Sequence, residues 1–250
     1  VWSVGDGGRK IRGRCMSLNR QKGNMYEWVT HTWNPIGGRC PHQCAYCYML
    51  GLPVGELRLR PKFLRDDNLS GKTIFVGSST DMWAEDVPDE WIERVLYCCN
   101  QFPESTFLFQ SKNPLRFVHF LGFGFPPKTV LGTTIESNRD YDISEAPTIW
   151  HRVNPMIAIE GHRKMVSIEP VLDFDPEQLV EYIKRIGPEF VSIGADSKGH
   201  RLPEPSAEKV RSLIDELDVF TEVKLKSNLA RLGIDLDEFE KQAVDFDSVA

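Results

Sequence analysis

TIFVGSSTDMWAEDVPDEWIERVLYCCNQFPESTFLFQ, running from Thr73 to Gln110, holds the pattern that sets the fold. It opens on a short apolar, β-branched run, Thr73–Gly77, and passes through a polar stretch to Pro88-Asp89-Glu90. Proline suits a helix start because its missing N–H would be unpaired there, and acidic side chains complement the positive end of the helix dipole. The helix-like stretch Asp89–Phe102 then leads to a second apolar run, Thr106–Gln110. Strands this short and apolar, bounded by Gly, Ser and Pro, suit a sheet covered on both faces.

The same rhythm continues outward. Further strands are expected at Thr129–Thr134, Met165–Glu169, Phe190–Gly194 and Phe220–Leu225, with an earlier one near Trp28–Thr32. Asp175-Pro176 opens a helix over Pro176–Ile186, and Glu204-Pro205-Ser206 opens one over Ala207–Leu217. Repeated strand-then-helix order implies parallel strands joined by right-handed crossovers. Six such strands plus the early one are too few for a closed eightfold barrel, so the expectation is an α/β fold with a partial (βα)6 TIM-like barrel. A doubly wound sheet competes, but no Gly-rich phosphate fingerprint follows an early strand.

The chain has 250 residues and a net charge of −6, enough for one large domain with a sizeable core and against a surface basic throughout. The run Arg9–Lys22 (RKIRGRCMSLNRQK) is cationic and reads as a solvated terminus. Residues 1–25 are therefore taken as a basic extension and 26–250 as the barrel domain. No apolar run approaches the length that spans a bilayer and no signal-peptide pattern is present, so a cytoplasmic protein without membrane contact is expected.

Six cysteines occur, three of them within WNPIGGRCPHQCAYCY, Trp33–Tyr48. Cys40, Cys44 and Cys47 stand in C-x3-C-x2-C spacing on a loop after the first strand, with Gly37 and Gly38 supplying freedom for tight turns. Clustered soft thiolates suggest a metal site rather than a disulfide framework. Three thiolates suit a four-iron, four-sulfur cluster with one iron left open to a ligand. A structural zinc site is the other reading, with His42, Cys98 or Cys99 as fourth ligand. Cys98 and Cys99 fall inside the helix-like stretch as small apolar residues, and Cys15 is a lone thiol in the basic run.

With Tyr46 just before the third cysteine, this spacing resembles the signature of the radical-SAM superfamily. The resemblance implies that one iron chelates the amino and carboxylate groups of S-adenosylmethionine. It also implies that an electron from the cluster, delivered by a reductant such as flavodoxin or ferredoxin, cleaves the cofactor to a 5′-deoxyadenosyl radical, which abstracts hydrogen from a substrate. A partial (βα)6 barrel is that family's fold. FVGSSTDMWAEDVP, FLFQSKNPLRF, LGTTIESNR, VSIEPVLDF and VSIGADSKG, together with the cysteine segment, are similar to an uncharacterised phage-and-microbe branch once called Gp37/Gp68. The Cys-Tyr ending of the loop is also similar, over that segment only, to spore photoproduct lyase, a DNA-repair member of the superfamily. The phage-associated resemblance and the cationic Arg9–Lys22 run make a nucleic acid or nucleotide the leading substrate expectation, with the acidic net charge counting against it and a peptide or small metabolite as the alternatives.

A parallel barrel builds its site at the carboxyl ends of its strands. Polar residues gather there: Ser78, Ser79, Thr80 and Asp81; Ser111, Lys112 and Asn113; Thr133, Thr134, Glu136 and Asn138; Glu169; Ser192 and Asp196; Lys224 and Lys226. The resemblance puts Ser78, Ser79 and Asp81 by the methionine amino group, although a Gly-Gly-Glu-type motif is missing. It puts Tyr46 by the adenine and Glu136 or Ser167 by the ribose. Lys112 and Lys226 directly follow apolar runs and suit a carboxylate, an anionic substrate or an ion pair with Glu169. Cys15, Tyr48 and Cys98 are conceivable hydrogen donors. The reading from a different class is a non-catalytic binding module whose cysteine loop is stapled by zinc.

Overall fold

A computed structural model of the chain describes residues 18–21, 26–64, 69–237 and 239. The cationic run and Cys15 lie largely or wholly outside them. A short strand, β1 (Leu18–Arg20), pairs antiparallel with β2 (His31–Trp33). The chain then makes a side excursion closed by the two-stranded pair β3 (Ile36–Gly37) and β4 (Arg58–Leu59). The main sheet resumes with β5 (Thr73–Val76), β6 (Thr106–Ser111), β7 (Thr129–Thr134), β8 (Arg163–Ile168), β9 (Phe190–Ile193) and β10 (Glu222–Leu225). From β2 onward every neighbour in this sheet is parallel. β1 and β10 do not pair among the described residues, so the barrel is open, as the strand count predicted.

Helices α1 (Asp89–Asn100), α2 (Leu115–Phe120), α3 (Ile149–Ala158), α4 (Pro176–Ile186) and α5 (Ala207–Asp218) cover the outside. Their starts are chemically legible: proline occupies the first turn of α4, and the Ser206 hydroxyl accepts the Lys209 N–H at the head of α5. Leu179, Ile183 and Ile186 form the buried face of α4, each contributing about 1.5–3 kcal/mol on burial. These helices pack on the outward residues of the strands, among them Phe107, Phe109, Leu131, Val166, Ile168, Val191 and Ile193.

The inward residues decide where a site can form. Side chains alternate across a strand, so each strand sends every second residue inside. Leu108, Val130, Met165 and Phe190, with Tyr26, Val29, Trp28 and Phe75, make a separate apolar plug. Two residues or more further along the same strands come Gly77, Gln110, Thr134, Ser167 and Glu169, which line a cavity. Each strand thus enters apolar and leaves polar, filling one end of the barrel and opening the other. Gly132 belongs to this packing: a Cβ there would lie 2.9 Å from the Met165 Cγ, so a side chain would displace the plug.

Two expectations are corrected by local geometry. Tyr26–Val29 forms a turn, with the Val29 N–H donated to the Tyr26 carbonyl, so Trp28 fills the barrel interior and the first parallel strand begins at His31. Phe220 lies in the turn after α5, its N–H donating to the Leu217 carbonyl, which delays β10 to Glu222.

Candidate active site

The cysteine loop is fastened on several sides before any ligand is considered. The Arg39 N–H reaches the Gly55 carbonyl (2.9 Å), the Thr80 hydroxyl the Gly38 carbonyl (2.9 Å), and the Ala45 N–H the Ile143 carbonyl (2.8 Å). Gly38 holds φ at 114°, and a Cβ there would stand 2.1 Å from the Glu56 carbonyl oxygen. Backbone cannot give way as a flexible side chain can. Gly38→Ala is expected to leave the far-ultraviolet circular dichroism of the barrel intact while lowering iron uptake on reconstitution; normal uptake would show that the turn is dispensable.

Inside the loop, turns run from the Gln43 N–H to the Cys40 carbonyl and from the Cys47 N–H to the Cys44 carbonyl. Cys40, Cys44 and Cys47 are free thiols, and all three open on the cavity at the polar end of the barrel, whose volume is about 520 Å³. Burial, aided by the Asp81 carboxylate, pushes the Cys40 thiol up to about 11, and burial also raises Cys44.

Asp81 is the fastening point between loop and barrel. One of its oxygens accepts from His42 Nε2, the Ser111 hydroxyl and the Lys112 N–H, each at 2.9 Å, and the other accepts the Trp83 N–H at 2.9 Å. Burial alone would raise its carboxyl, but His42 and these donors hold it below the usual range. The carboxylate therefore organises the site more directly than it could bind a ligand's ammonium group. Asp81→Ala orphans several buried donors, each costing about 1–3 kcal/mol. A drop of at least that size in urea-derived stability, with poor iron retention, is the expected result; an unchanged midpoint would show that water replaces the carboxylate.

A second buried network stands behind Tyr46. Glu136, only 2% exposed, pairs with Arg152 Nη1 at 2.7 Å, lies 3.9 Å from Lys112 Nζ and accepts a short hydrogen bond from the Tyr46 hydroxyl. Lys112 Nζ also sits 5.3 Å from the centre of the Tyr46 ring. Burial and the neighbouring Glu136 charge raise the Tyr46 phenol far above its ordinary value, keeping it a neutral donor.

Of the residues singled out in the sequence, Tyr46, Ser78, Ser79, Asp81, Lys112, Ser167 and Glu169 line the cavity with the cysteines. Thr133, Glu136 and Ser192 are buried and do not line it; the Thr133 hydroxyl donates to the Ser111 carbonyl instead. Lys226 pairs with Glu169 at 2.6 Å. Tyr48 lines the cavity and donates to the Ser78 carbonyl, whereas Cys98 and Cys99 stay in α1 away from it. Sequence reasoning missed Tyr26, Gln110 and His200. Tyr26 rises from the plug to donate to Gln110 Oε1 at 2.8 Å, with Lys226 Nζ 4.6 Å from its ring centre. His200 Nδ1 meets the buried Asp196 carboxylate at 2.7 Å. The four-residue spacing of Asp196 and His200 was visible, but nothing local showed that both would face the barrel mouth.

Among the described residues no helix is long and apolar enough to cross a membrane. The fold is shared with solved structures. One is a spore photoproduct lyase mutant with bound AdoMet and dinucleoside spore photoproduct, at a TM-score of 0.59, 10% identity, and 82% of this chain against 78% of that one. Another is Streptococcus suis SuiB bound to the precursor peptide SuiA, at 0.55, 11% identity, and 77% against 47%. At such identities the likeness is one of fold, an open barrel of mostly parallel strands with helices outside. No curated protein matches the sequence. Residues 55–216, a span that begins after the cysteine loop, match a family described as "Protein of unknown function (DUF5131)". That match takes in more than half of the chain, and the protein belongs to the DUF5131 family.

Proposed function

We propose that this protein is a radical S-adenosylmethionine enzyme. In this reading Cys40, Cys44 and Cys47 hold a [4Fe–4S] cluster, S-adenosylmethionine is cleaved reductively, and hydrogen is taken from a nucleic acid or nucleotide. The observation that carries it is the opening of all three thiols on a cavity lined by many polar side chains at the carboxyl ends of parallel strands. The segments quoted from the sequence support a place in the Gp37/Gp68-like branch.

The donor set fits such a cluster. Three soft thiols can each take a different iron and leave one iron for the cofactor's amino and carboxylate groups. When bound, the cluster supplies the electron that breaks the sulfonium bond and so produces a 5′-deoxyadenosyl radical.

The protein's own residues position and shield. The turn at Gly77–Thr80 lies on the cavity wall and offers carbonyl and hydroxyl oxygens to an ammonium group. Lys112, held by Glu136 and Tyr46, brings a cation for a carboxylate. Ser167 and Glu169, on the wall built by β8, can accept from ribose hydroxyls. Tyr26 and Phe75, at the cavity floor, and Lys226, ion-paired with Glu169, bring aromatic and cationic character to that wall, the combination used for bases and phosphates. This wall is what favours a nucleic acid or nucleotide over a peptide.

The test is anaerobic reconstitution with iron and sulfide, reduction with dithionite, addition of S-adenosylmethionine and chromatographic assay for 5′-deoxyadenosine. Its formation is expected. A brown, fully loaded protein that yields none, with DNA, RNA and nucleotides each supplied in turn, would sink the reading. Stoichiometric zinc uptake with no cluster would put a metal-stapled binding module in its place.

A further inference from the structure

We infer that the turn after β9, Asp196–His200, is a phosphate subsite of the cavity, in which His200 Nε2 and the Lys198 ammonium group hold a phosphoryl group of the substrate. The inference rests on the nucleotide reading above and narrows it, because a base or nucleoside without phosphate would leave the subsite idle. S-adenosylmethionine carries no phosphate, so its own binding does not call for such a site.

The turn is built around one carboxylate. Asp196 is buried, its side chain 4% exposed, and it accepts the Lys198 N–H at 3.2 Å, the His200 N–H, and His200 Nδ1–H at 2.7 Å. Burial by itself would raise its carboxyl, but these donors hold it below the usual range, so it stands as an ionised acceptor. A carboxylate at Nδ1 fixes the proton on that nitrogen and leaves Nε2 for another partner. Nε2 has no hydrogen-bond partner among the described residues, and the ring lines the cavity. The two backbone N–H groups already close the turn on the carboxylate, so the ring is not needed to hold it.

Neighbouring segments brace the turn. The Asn228 amide donates to the Ala195 carbonyl (2.7 Å) and the Ser197 hydroxyl (3.0 Å) and accepts the Ala195 N–H (3.1 Å). Arg231, paired with Glu204, donates its Nε–H to the Asp196 carbonyl at 3.0 Å. A turn fixed beforehand gives up little freedom when a ligand docks.

Charge decides what it can hold. Among the described residues three carboxylates line the cavity, and each is occupied: Asp81 by the cysteine loop, Glu169 by Lys226 at 2.6 Å, and Asp196 by His200. Lys112 stands 3.9 Å from Glu136. Lys198 differs. Its Nζ meets the Tyr48 carbonyl at 3.1 Å and lies within 4 Å of no carboxylate among the described residues. An ammonium group on a neutral acceptor keeps its charge for an anion, and the imidazole on the same turn takes up a proton as a phosphate dianion approaches. A neutral or cationic ligand would leave Lys198 without a counter-charge. The strands that lead to this turn and to the cysteine loop stand near opposite edges of the sheet, yet the contact of Lys198 with Tyr48 brings the two together at the cavity.

Titration calorimetry on the reconstituted full chain tests the subsite, with nucleoside 5′-monophosphates set against the matching nucleosides. The wild type is expected to bind its preferred nucleotide on the order of tenfold tighter than the nucleoside, as charge-assisted hydrogen bonds to phosphate allow. His200→Gln and Lys198→Met should each remove most of that difference and leave nucleoside affinity as it was. Asp196→Asn should do the same by releasing the ring, and an unchanged nucleoside affinity separates this positioning role from damage to the fold. The dinucleotide TpT, whose phosphate is internal, tells the sources apart. Binding that depends on His200 and Lys198 assigns the subsite to a polynucleotide backbone, and no binding assigns it to a terminal phosphate; the subsite stands in either case. Nucleotide and nucleoside bound equally by the wild type, no nucleotide bound at all, or nucleotide binding indifferent to both variants would overturn the inference. If His200→Gln loads cluster poorly, Lys198→Met, at an exposed side chain, decides alone. Calorimetry needs no turnover: 5′-deoxyadenosine formed without phosphate binding would remove the subsite and leave the proposed chemistry, and the reverse result would do the opposite.

Discussion

Cys44→Ala is expected to abolish 5′-deoxyadenosine formation while leaving the barrel folded. Cys44 is the buried member of the three cysteines, and its thiol faces the same cavity as Cys40 and Cys47. Removing it leaves two protein thiolates for a group that needs three. Changes to residues that merely support a metal ligand already cost about 10–100-fold in affinity or activity, so loss of a ligand itself should exceed ~100-fold. The reconstituted variant should be pale, poor in iron and without product. The barrel does not depend on this thiol, because the apolar plug and the helix-facing residues belong to other elements. Its urea-derived free energy of unfolding in the metal-free state should therefore change by no more than about 1 kcal/mol. A variant that retains both cluster and product would show that the loop is not the cluster's seat.

Glu136→Gln should produce a large loss of stability. Its carboxylate and the Arg152 guanidinium are each about as buried as any core residue, with side chains 3% and 5% exposed. Dropping one charge of a buried pair strands the other, which costs about 3–5 kcal/mol, whereas exposed pairs contribute about 0–1 kcal/mol. The expected readout is a urea-derived free energy of unfolding lowered by that amount, together with altered fluorescence of the neighbouring Tyr46. The pH dependence follows from the same pair. Burial by itself would raise the Glu136 carboxyl, but Arg152, Lys112 and Tyr46 override it and hold it below the ordinary value of 4.5. A depressed carboxyl contributes stability that is fully present above its unfolded value and is lost as pH falls through the folded one. The wild type should thus lose stability increasingly below about pH 4, a slope the Gln variant should lack in part. If the two proteins show parallel acid transitions, Glu136 is not the group that links protons to folding.

Much of the architecture could be read from local pattern. The Thr73–Val76, Thr106–Ser111 and Thr129–Thr134 strands are runs of apolar and β-branched residues bounded by turn formers, and α4 carries its own start and stop in Pro176 and Gly187. The elements that escaped lack such a signature. β1 is three residues long, and α3 contains Pro155, a residue that argues against a helix when read alone. In the structure α3 tolerates it, and its Arg152 supplies the cation for Glu136.

The candidate site divides along the same line. The spacing of Cys40, Cys44 and Cys47 is local, so the sequence itself placed three soft ligands on one loop after the first parallel strand. Which strand-end residues face the cavity depends on which half of each alternating pair turns inward: Thr134 lines it while Thr133 does not. A single-residue difference of this kind is settled by the barrel's curvature and register, not by composition. His42 and Asp81 lie 39 residues apart, and Tyr46 and Glu136 lie 90 apart. Folding alone brings such partners together, because burial makes each unpaired charge too costly to leave without its complement. The sequence by itself determined the parallel α/β barrel and the cysteine loop, since periodicity and spacing are properties of neighbouring residues. Only the tertiary structure decided that Asp81 would fasten that loop, that Glu136 would be a buried strut, and that Leu50 and Leu52 would remain in solvent, since each of these depends on what distant segments place beside it.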